Sequence, residues 1–506
     1  MICGYDSFIL FICSLRKTRD WLNHRKWVEL IDRKAVSTVF VVVIILVLLV
    51  AALGTYIFLL KPVLVNNSYV SSISTPATAT EQGRTCSNVA QYDESIPATY
   101  EPMYSTLSQI LDNFDQTLGS PSPGSSHSVI YATELLPADS NIGPRLLSPQ
   151  AMQGVISYLD ALKKIGVGGV TIDLSFPVLV PTFPNYNQYL SFYENVVEQV
   201  RARGMKIDIE SETPLLVGYP GLSVGAVTYA NLSYATYVSE DREMIQTVIN
   251  YLHPDYLNIG TETDTLQILL HYPEISTPQG WGTYIQSLLT GLNMGTTKID
   301  VGIGSWDPIS YLYATLNDSA IDAIDVHIYP VYGNYLSILT QIGQLSQEYG
   351  KPIVIDEMWL HKSTMNEGHN FATDAQISAR NMYAFWIPLD EKFLEVMSKY
   401  AQVYNVGFLS PFEANYFFAY LDYNSNSASV PYYEARQVAG RAAGYSIANG
   451  LISPLGCYYQ NLIAAQTSIN EFPSLIIPAS LITVTALAVA TFKKRITRQA
   501  TARLPK

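Results

Sequence analysis

At 506 residues the chain is long enough for one large domain or two to three ordinary ones, and 48% hydrophobic against 14% charged residues is rich in apolar side chains. The net charge of −13 is unevenly spread: residues 61–492 carry 17 Lys/Arg against 39 Asp/Glu, while residues 1–35 and 493–506 carry seven and six basic residues. So acidic a middle excludes nucleic acid as a partner.

The basic segment 1–35 is followed by 25 uncharged residues, 36–60, enough to cross a hydrocarbon core of ~30 Å. Residues 472–492 form a second uncharged run, with two prolines, before the basic tail 493–506. By the positive-inside rule both ends face the cytoplasm, two transmembrane helices anchor the chain in a cell membrane, and the acidic region lies outside. Cys86 and Cys457 flank that outer region and are expected to pair as a disulfide tying its ends together; two unrelated buried thiols are the alternative. Sequons at Asn66, Asn231 and Asn317 fit the same location.

Residues 61–127 are rich in Ser, Thr, Pro and Ala and read as a stalk with one short helix over 104–118. From 128 to 452 apolar, β-branched runs alternate with amphipathic stretches that often end in glycine. The predicted strands are 128–136, 168–176, 206–212, 256–263, 298–306, 321–330, 351–359 and 406–412. The predicted helices between them are 148–164, 189–203, 240–252, 281–292, 335–349, 374–404 with a break at Pro388, and 433–448. Eight strand–helix units with strands apolar enough for burial on both faces predict a parallel sheet closed into a (β/α)8 TIM barrel. A doubly wound open sheet is the competing reading, but no glycine-rich phosphate loop follows any strand. Residues 453–471, with Cys457, read as a linker to the second membrane segment.

In a barrel, chemistry sits at the C-terminal ends of the strands. Those ends carry Glu134, Glu210 and Glu212, Thr261, Glu262 and Asp264, Trp306 and Asp307, His327 and Tyr329, Asp356, Glu357 and Trp359, and Glu413. Two carboxyl groups facing each other beside aromatic rings suit cleavage of a glycosidic bond: one protonates the leaving oxygen, the other attacks or activates water. Aromatic faces stack on sugar rings. A metal site would want paired histidines at ligand spacing, whereas the rim offers His327 and His361 alone, so no metal and no cofactor is expected.

"NIGTETDT" on strand four, "DVHIYP" on strand six and "PIVIDEMW" on strand seven resemble the corresponding segments of glycoside hydrolase clan A, the retaining β-glycosidases built on this barrel. The resemblance covers roughly 128–449. It implies Glu262 as acid/base, Glu357 as nucleophile, Tyr329 as hydrogen-bond donor to Glu357, and His327 lining the sugar site. Trp306, Trp359, Glu134, Glu212 and Glu413 would complete the substrate-binding rim for an oligo- or polysaccharide. Thr261 stands where the clan usually has asparagine, and is expected to contact the sugar 2-hydroxyl as a shorter donor. The clan's arginine near the end of strand two is missing from "TIDLSFP"; its strand-eight tryptophan is replaced in "GFLSPFEANYF", which offers Phe412 or Tyr416. These departures leave open a barrel that binds carbohydrate without turning it over, or a surface-layer protein, and a cell-surface transglycosylase reads identically. At the chain's ends, "RKAVSTVFVVVIILVLLV" resembles archaeal pilin-like signals, with cleavage after Ala35 if processed, and the C-terminal segment resembles membrane anchors of archaeal surface proteins.

Overall fold

The computed structural model describes residues 77–81, 84–119, 128–211, 213–215, 232–367 and 371–466. Both apolar segments, 36–60 and 472–492, lie outside them, and no helix among the described residues is long and apolar enough to cross a membrane.

A hairpin of β1 (Ala77–Glu81) and β2 (Arg84–Val89) leads to α1 (Glu101–Leu118). Eight parallel strands then follow: β3 (Ile130–Glu134), β4 (Gly169–Asp173), β5 (Lys206–Glu210), β6 (Tyr256–Asn258), β7 (Lys298–Gly304), β8 (Ala323–His327), β9 (Ile353–Met358) and β10 (Val406–Pro411). Each pairs with the next, and β10 returns to β3, closing the barrel. All eight fall inside the predicted runs. The helices between them are α2 (Ala151–Lys164), α3 (Tyr186–Ala202), α4 (Tyr234–Thr247), α5 (Thr263–Leu270), α6 (Pro278–Leu289), α7 (Ser310–Tyr313), α8 (Tyr335–Tyr349), α9 (Phe371–Ser378) and α10 (Ile387–Val403), with α11 (Tyr432–Ala448) after β10.

Local chemistry sets the helix ends. The Ser233 hydroxyl caps α4 by accepting from the Thr236 N–H at 3.1 Å. Gly350 ends α8 at φ 67°, a left-handed conformation that glycine adopts without strain. The break expected near Pro388 is a pair of 3-10 turns over 379–386, and the proline sits in the first turn of α10, where its missing N–H costs nothing. The predicted start at 148 is three residues early: the Ala151 N–H donates to the Ser148 carbonyl, so Ser148 to Gln150 form a turn before α2.

The barrel interior has two layers. Ala132, Tyr256, Ala323, Val354 and Phe408 form an apolar cluster drawn from strands that are not all neighbours, so they meet across the barrel. Because side chains alternate along a strand, the residue two positions on faces the same way. Those residues are Glu134, Asn258, Asp325, Asp356 and Ser410, all buried. An apolar floor thus carries a polar layer. The opposite faces, among them Ile207, Ile209, Leu257, Val301, Ile324 and Val326, pack against the helices in the main core.

The helix expected in the stalk belongs to the barrel's outer layer. Leu107, Leu111, Phe114 and Leu118 recur on one face of α1 and are buried. Against α10, Lys392 pairs with Asp112 at 2.7 Å and Lys399 with Asp115 at 2.8 Å. Cys86, on β2, is bonded to Cys457, in the helical segment 454–466, with Cα atoms 5.9 Å apart as the pairing expectation requires. Such bonds persist in oxidising compartments.

Leu111→Ala should therefore cost about 2–5 kcal/mol in urea unfolding, the range for emptying a fully buried leucine site. A change below about 0.5 kcal/mol would mean that α1 does not contribute to the folded core.

Candidate active site

The adjacent carboxyls of Asp356 and Glu357 ought to point to opposite faces of β9. The register explains why they do not. Between Leu409↔Ile355 and Pro411↔Met358, β10 spends one residue, Ser410, while β9 spends two, Asp356 and Glu357. The other neighbour agrees: from Asp325↔Val354 to Ile328↔Met358, β9 again has one residue more than β8. A bulge at the end of β9 re-aims the second carboxyl. Asp356 stays in the interior layer and Glu357 turns to the mouth.

His327, two residues beyond Asp325 on β8, joins the two levels. Its Nε2 lies 2.9 Å from Asp356 Oδ1 and 3.5 Å from Asp325 Oδ2. Its Nδ1 lies 3.1 Å from Glu262 Oε1 and 3.6 Å from Glu357 Oε2. Burial disfavours a charge on this imidazole, but Asp356 and Glu357 outweigh it and hold the pKa well above 6.5. The ring is an imidazolium, hydrogen-bonded to Glu262 through Nδ1 and ion-paired with Asp356 through Nε2.

Below it, burial would raise Asp356, but His327 and hydrogen bonds from Asp325 and Asn258 hold its pKa at about 2. The Asn258 amide donates to Asp356 Oδ2 at 2.7 Å and to Asp325 Oδ2 at 3.0 Å. Burial and Asp356 push Asp325 well up, making it the protonated member of that pair. Above the imidazolium, the Tyr329 hydroxyl donates to Glu357 Oε2. Oxygens of Glu262 and Glu357 and a nitrogen of His327 all lie within 4.8 Å of one another. Glu262 stands at the N-cap position of α5, four residues beyond the end of β6.

One histidine and two glutamates are a conceivable metal set. Yet an imidazolium with N–H groups directed at carboxylates has no lone pair to offer, so the trio suits proton chemistry better.

The hydrogen bond from Tyr329 acts to lower the pKa of Glu357. Burial overrides it: with Glu262 and Asp356 adding to the rise, Glu357 is pushed up to about 7 against the pull of His327 and Tyr329. Burial also drives Glu134 and Glu210 well up, with Glu357 among the charges that add to it.

The other predicted residues divide. Glu134 is buried beside the mouth, its Oε1 accepting from the Asp173 N–H at 3.4 Å. Glu212 lies outside the described residues. Trp306 is half-buried, its ring 5.9 Å from that of Tyr329 and its Nε1 donating to Asp264 Oδ1 at 3.1 Å. Glu413 is buried, and burial raises its pKa against the charge of Arg436. Two expectations are corrected. Thr261 is fully buried and its hydroxyl donates to Asp325 Oδ2 at 2.5 Å, so it braces the interior layer and has no proton left for a sugar. Trp359 is 1% exposed, with Tyr416 against its ring at 5.8 Å and Lys362 Nζ over it at 5.2 Å, so it serves the core.

Strand-end reading missed Arg436, an exposed residue on α11. Its guanidinium sits 4.9 Å over the Phe412 ring, and its charge opposes the burial-driven rise of both Glu413 and Asp139. The mouth does hold an arginine, delivered by a helix.

No protein-family model and no curated protein matches the chain. Among solved structures it is similar to a GH5_18 protein from Bifidobacterium longum subsp. infantis, at 13% identity and TM-score 0.45 over 67% of this chain and 79% of that one. It is also similar to GH5_18 from Streptomyces cattleya in complex with GlcNAc, at 11% and 0.44 over 69% and 82%. A family 1 β-glucosidase from Thermotoga maritima follows at 10% and 0.39, over 69% and 98%. At these values the likeness carries no argument about activity.

Since the Tyr329 hydrogen bond opposes the rise at Glu357, Tyr329→Phe should move its protonation midpoint upward from about 7. Carbon-13 NMR of labelled glutamate, assigned with Glu357→Gln, reads this directly. A midpoint that stays or falls would mean the hydroxyl does not favour the anion.

Proposed function

We propose that this protein is a glycoside hydrolase that cleaves β-glycosidic bonds of an oligo- or polysaccharide by retaining double displacement, with Glu357 as nucleophile and Glu262 as acid/base. The observation that carries the reading is the Glu262–Glu357 pair, with oxygens within 4.8 Å of each other at the barrel mouth. Retaining enzymes hold their two carboxyl groups ~5–5.5 Å apart, whereas inverting enzymes leave ~6.5–9.5 Å for a water.

In this mechanism Glu262 protonates the leaving oxygen while Glu357 attacks the anomeric carbon and forms a glycosyl-enzyme. Glu262 then removes a proton from the water that releases the sugar. The Tyr329 hydroxyl holds Glu357 Oε2 in place. The single Nδ1 proton of His327 stands between the carboxylates, 3.1 Å from one and 3.6 Å from the other. When Glu262 holds its own proton, that N–H is released to Glu357, so protonating the acid and stabilising the nucleophile are one event. With Glu357 at about 7, the ionised nucleophile is the minor form below that pH, and turnover should rise as pH approaches it.

Two variants test the roles on a panel of aryl β-glycosides. Glu262→Ala should slow poor leaving groups by about 10²–10⁴ while sparing activated ones, and azide should rescue it to a β-glycosyl azide. Glu357→Ala should abolish turnover for every leaving group, with azide giving at most the α product. The opposite pattern would reverse the roles. Unchanged rates in both variants would remove the pair from the chemistry.

A further inference from the structure

Below the proposed catalytic pair, Asp208 on β5, Asp300 on β7 and Asp356 on β9 converge inside the barrel. Each is fully buried, and one oxygen from each lies within 4.8 Å of the other two. With Asp325 beside them, four carboxyl groups share a layer with one cation, His327, which Asp356 and Glu262 already engage. The floor beneath, made of Ala132, Tyr256, Ala323, Val354 and Phe408, supplies no counter-charge.

A second observation concerns Asp208 by itself. Neither of its oxygens accepts a hydrogen bond from a side chain, although the residue is completely buried. The Ile209 N–H and the charge of His327 favour its ionised form, but burial outweighs both, and a buried carboxylate so thinly compensated is costly. Asp208 therefore either keeps a proton, as the effect of burial on its pKa would allow, or faces a cation.

We propose that a hard divalent cation, calcium, binds between Asp208, Asp300 and Asp356 in the barrel interior. The donors are carboxylate oxygens alone, which favour calcium or magnesium over zinc or copper. Three atoms no more than 4.8 Å apart share a point within ~2.8 Å of each, close to the 2.3–2.6 Å of calcium–oxygen bonds. Magnesium needs ~2.0–2.1 Å contacts in a near-ideal octahedron with several waters, a poorer match to three oxygens so spread. The ion would share Asp356 with His327 and fix the floor on which that imidazolium stands. This inference does not depend on the glycosidase reading.

The test uses the full-length purified chain, dialysed against calcium chloride and then passed into metal-free buffer. Elemental analysis should find one calcium per chain. Chelation should lower the melting temperature by about 5 °C or more, and added calcium should restore it. Asp208→Asn combined with Asp300→Asn should lose the ion and the calcium dependence of melting. Glu262→Gln combined with Glu357→Gln should keep both. A wild-type chain without bound calcium, whose melting ignores calcium and chelator, would overturn the proposal even if the aspartate variant failed to fold. So would calcium retained in the aspartate variant or lost from the glutamate one.

Discussion

One buried imidazolium ties the interior of the barrel to its mouth. His327 has carboxylates on both sides, Asp356 and Asp325 at Nε2, Glu262 and Glu357 at Nδ1. Burying a charge is costly, and breaking such a pair by removing one partner typically costs ~3–5 kcal/mol, because the other charge is then stranded. Here four partners depend on one ring. Its position is fixed by β8, its protonation by Asp356, and the spacing of the two glutamates by its Nδ1. The mouth of the barrel has the geometry it has because the interior beneath it is charged.

That interior departs from a barrel filled with branched apolar side chains. The lower layer is apolar and the upper one is built of Glu134, Asn258, Asp325, Asp356 and Ser410. Hydrogen bonds hold it together: Thr171 to Ser410 at 2.8 Å, Asn258 to two aspartates, Thr261 to Asp325. The network is only partly satisfied, since Glu134 Oε2, Asp325 Oδ1 and Asp356 Oδ1 accept no hydrogen bond, so charge has to hold what hydrogen bonds do not. The bulge in β9 has the same logic. It sacrifices regular pairing at the strand's end so that consecutive carboxyls can serve two levels, one structural and one facing the mouth.

The eight strands were legible because each apolar run is bounded by turn residues and followed by a helical stretch. The disulfide was legible because only two cysteines lie in the outer region. Of the rim, Glu262, His327, Tyr329 and Glu357 converge as their strand positions imply. What strand-end reading could not see follows from what it ignores. It counts residues at an end without knowing which way they face, so Trp359 and Thr261 counted as open when the fold turns both inward. It cannot register a bulge, which exists only between strands. It looks at strands, so Arg436, projecting from α11, escaped it. The i, i+2 pairs Tyr256/Asn258, Ala323/Asp325 and Val354/Asp356 did announce a layered interior; comparing strands for that pattern would have found it. The Ser/Thr/Pro bias of 61–127 masked where α1 belongs: the helix itself was legible at 104–118, but its leucine spacing, which marks a face packed on the barrel, went unweighed.

The claim on which the rest stands is that His327 is charged, with a carboxylate facing each of its nitrogens. Nitrogen-15 NMR of histidine-labelled protein, with His327→Gln to assign the resonance, measures it without reference to any substrate. At pH 7 both ring nitrogens of His327 should carry a proton, and they should keep it as the pH rises past 6.5, the ordinary histidine value, because Asp356 and Glu357 hold the charge. A ring with one bare nitrogen at pH 7 would contradict the account, since it could then not bind Asp356 while donating to the glutamate pair.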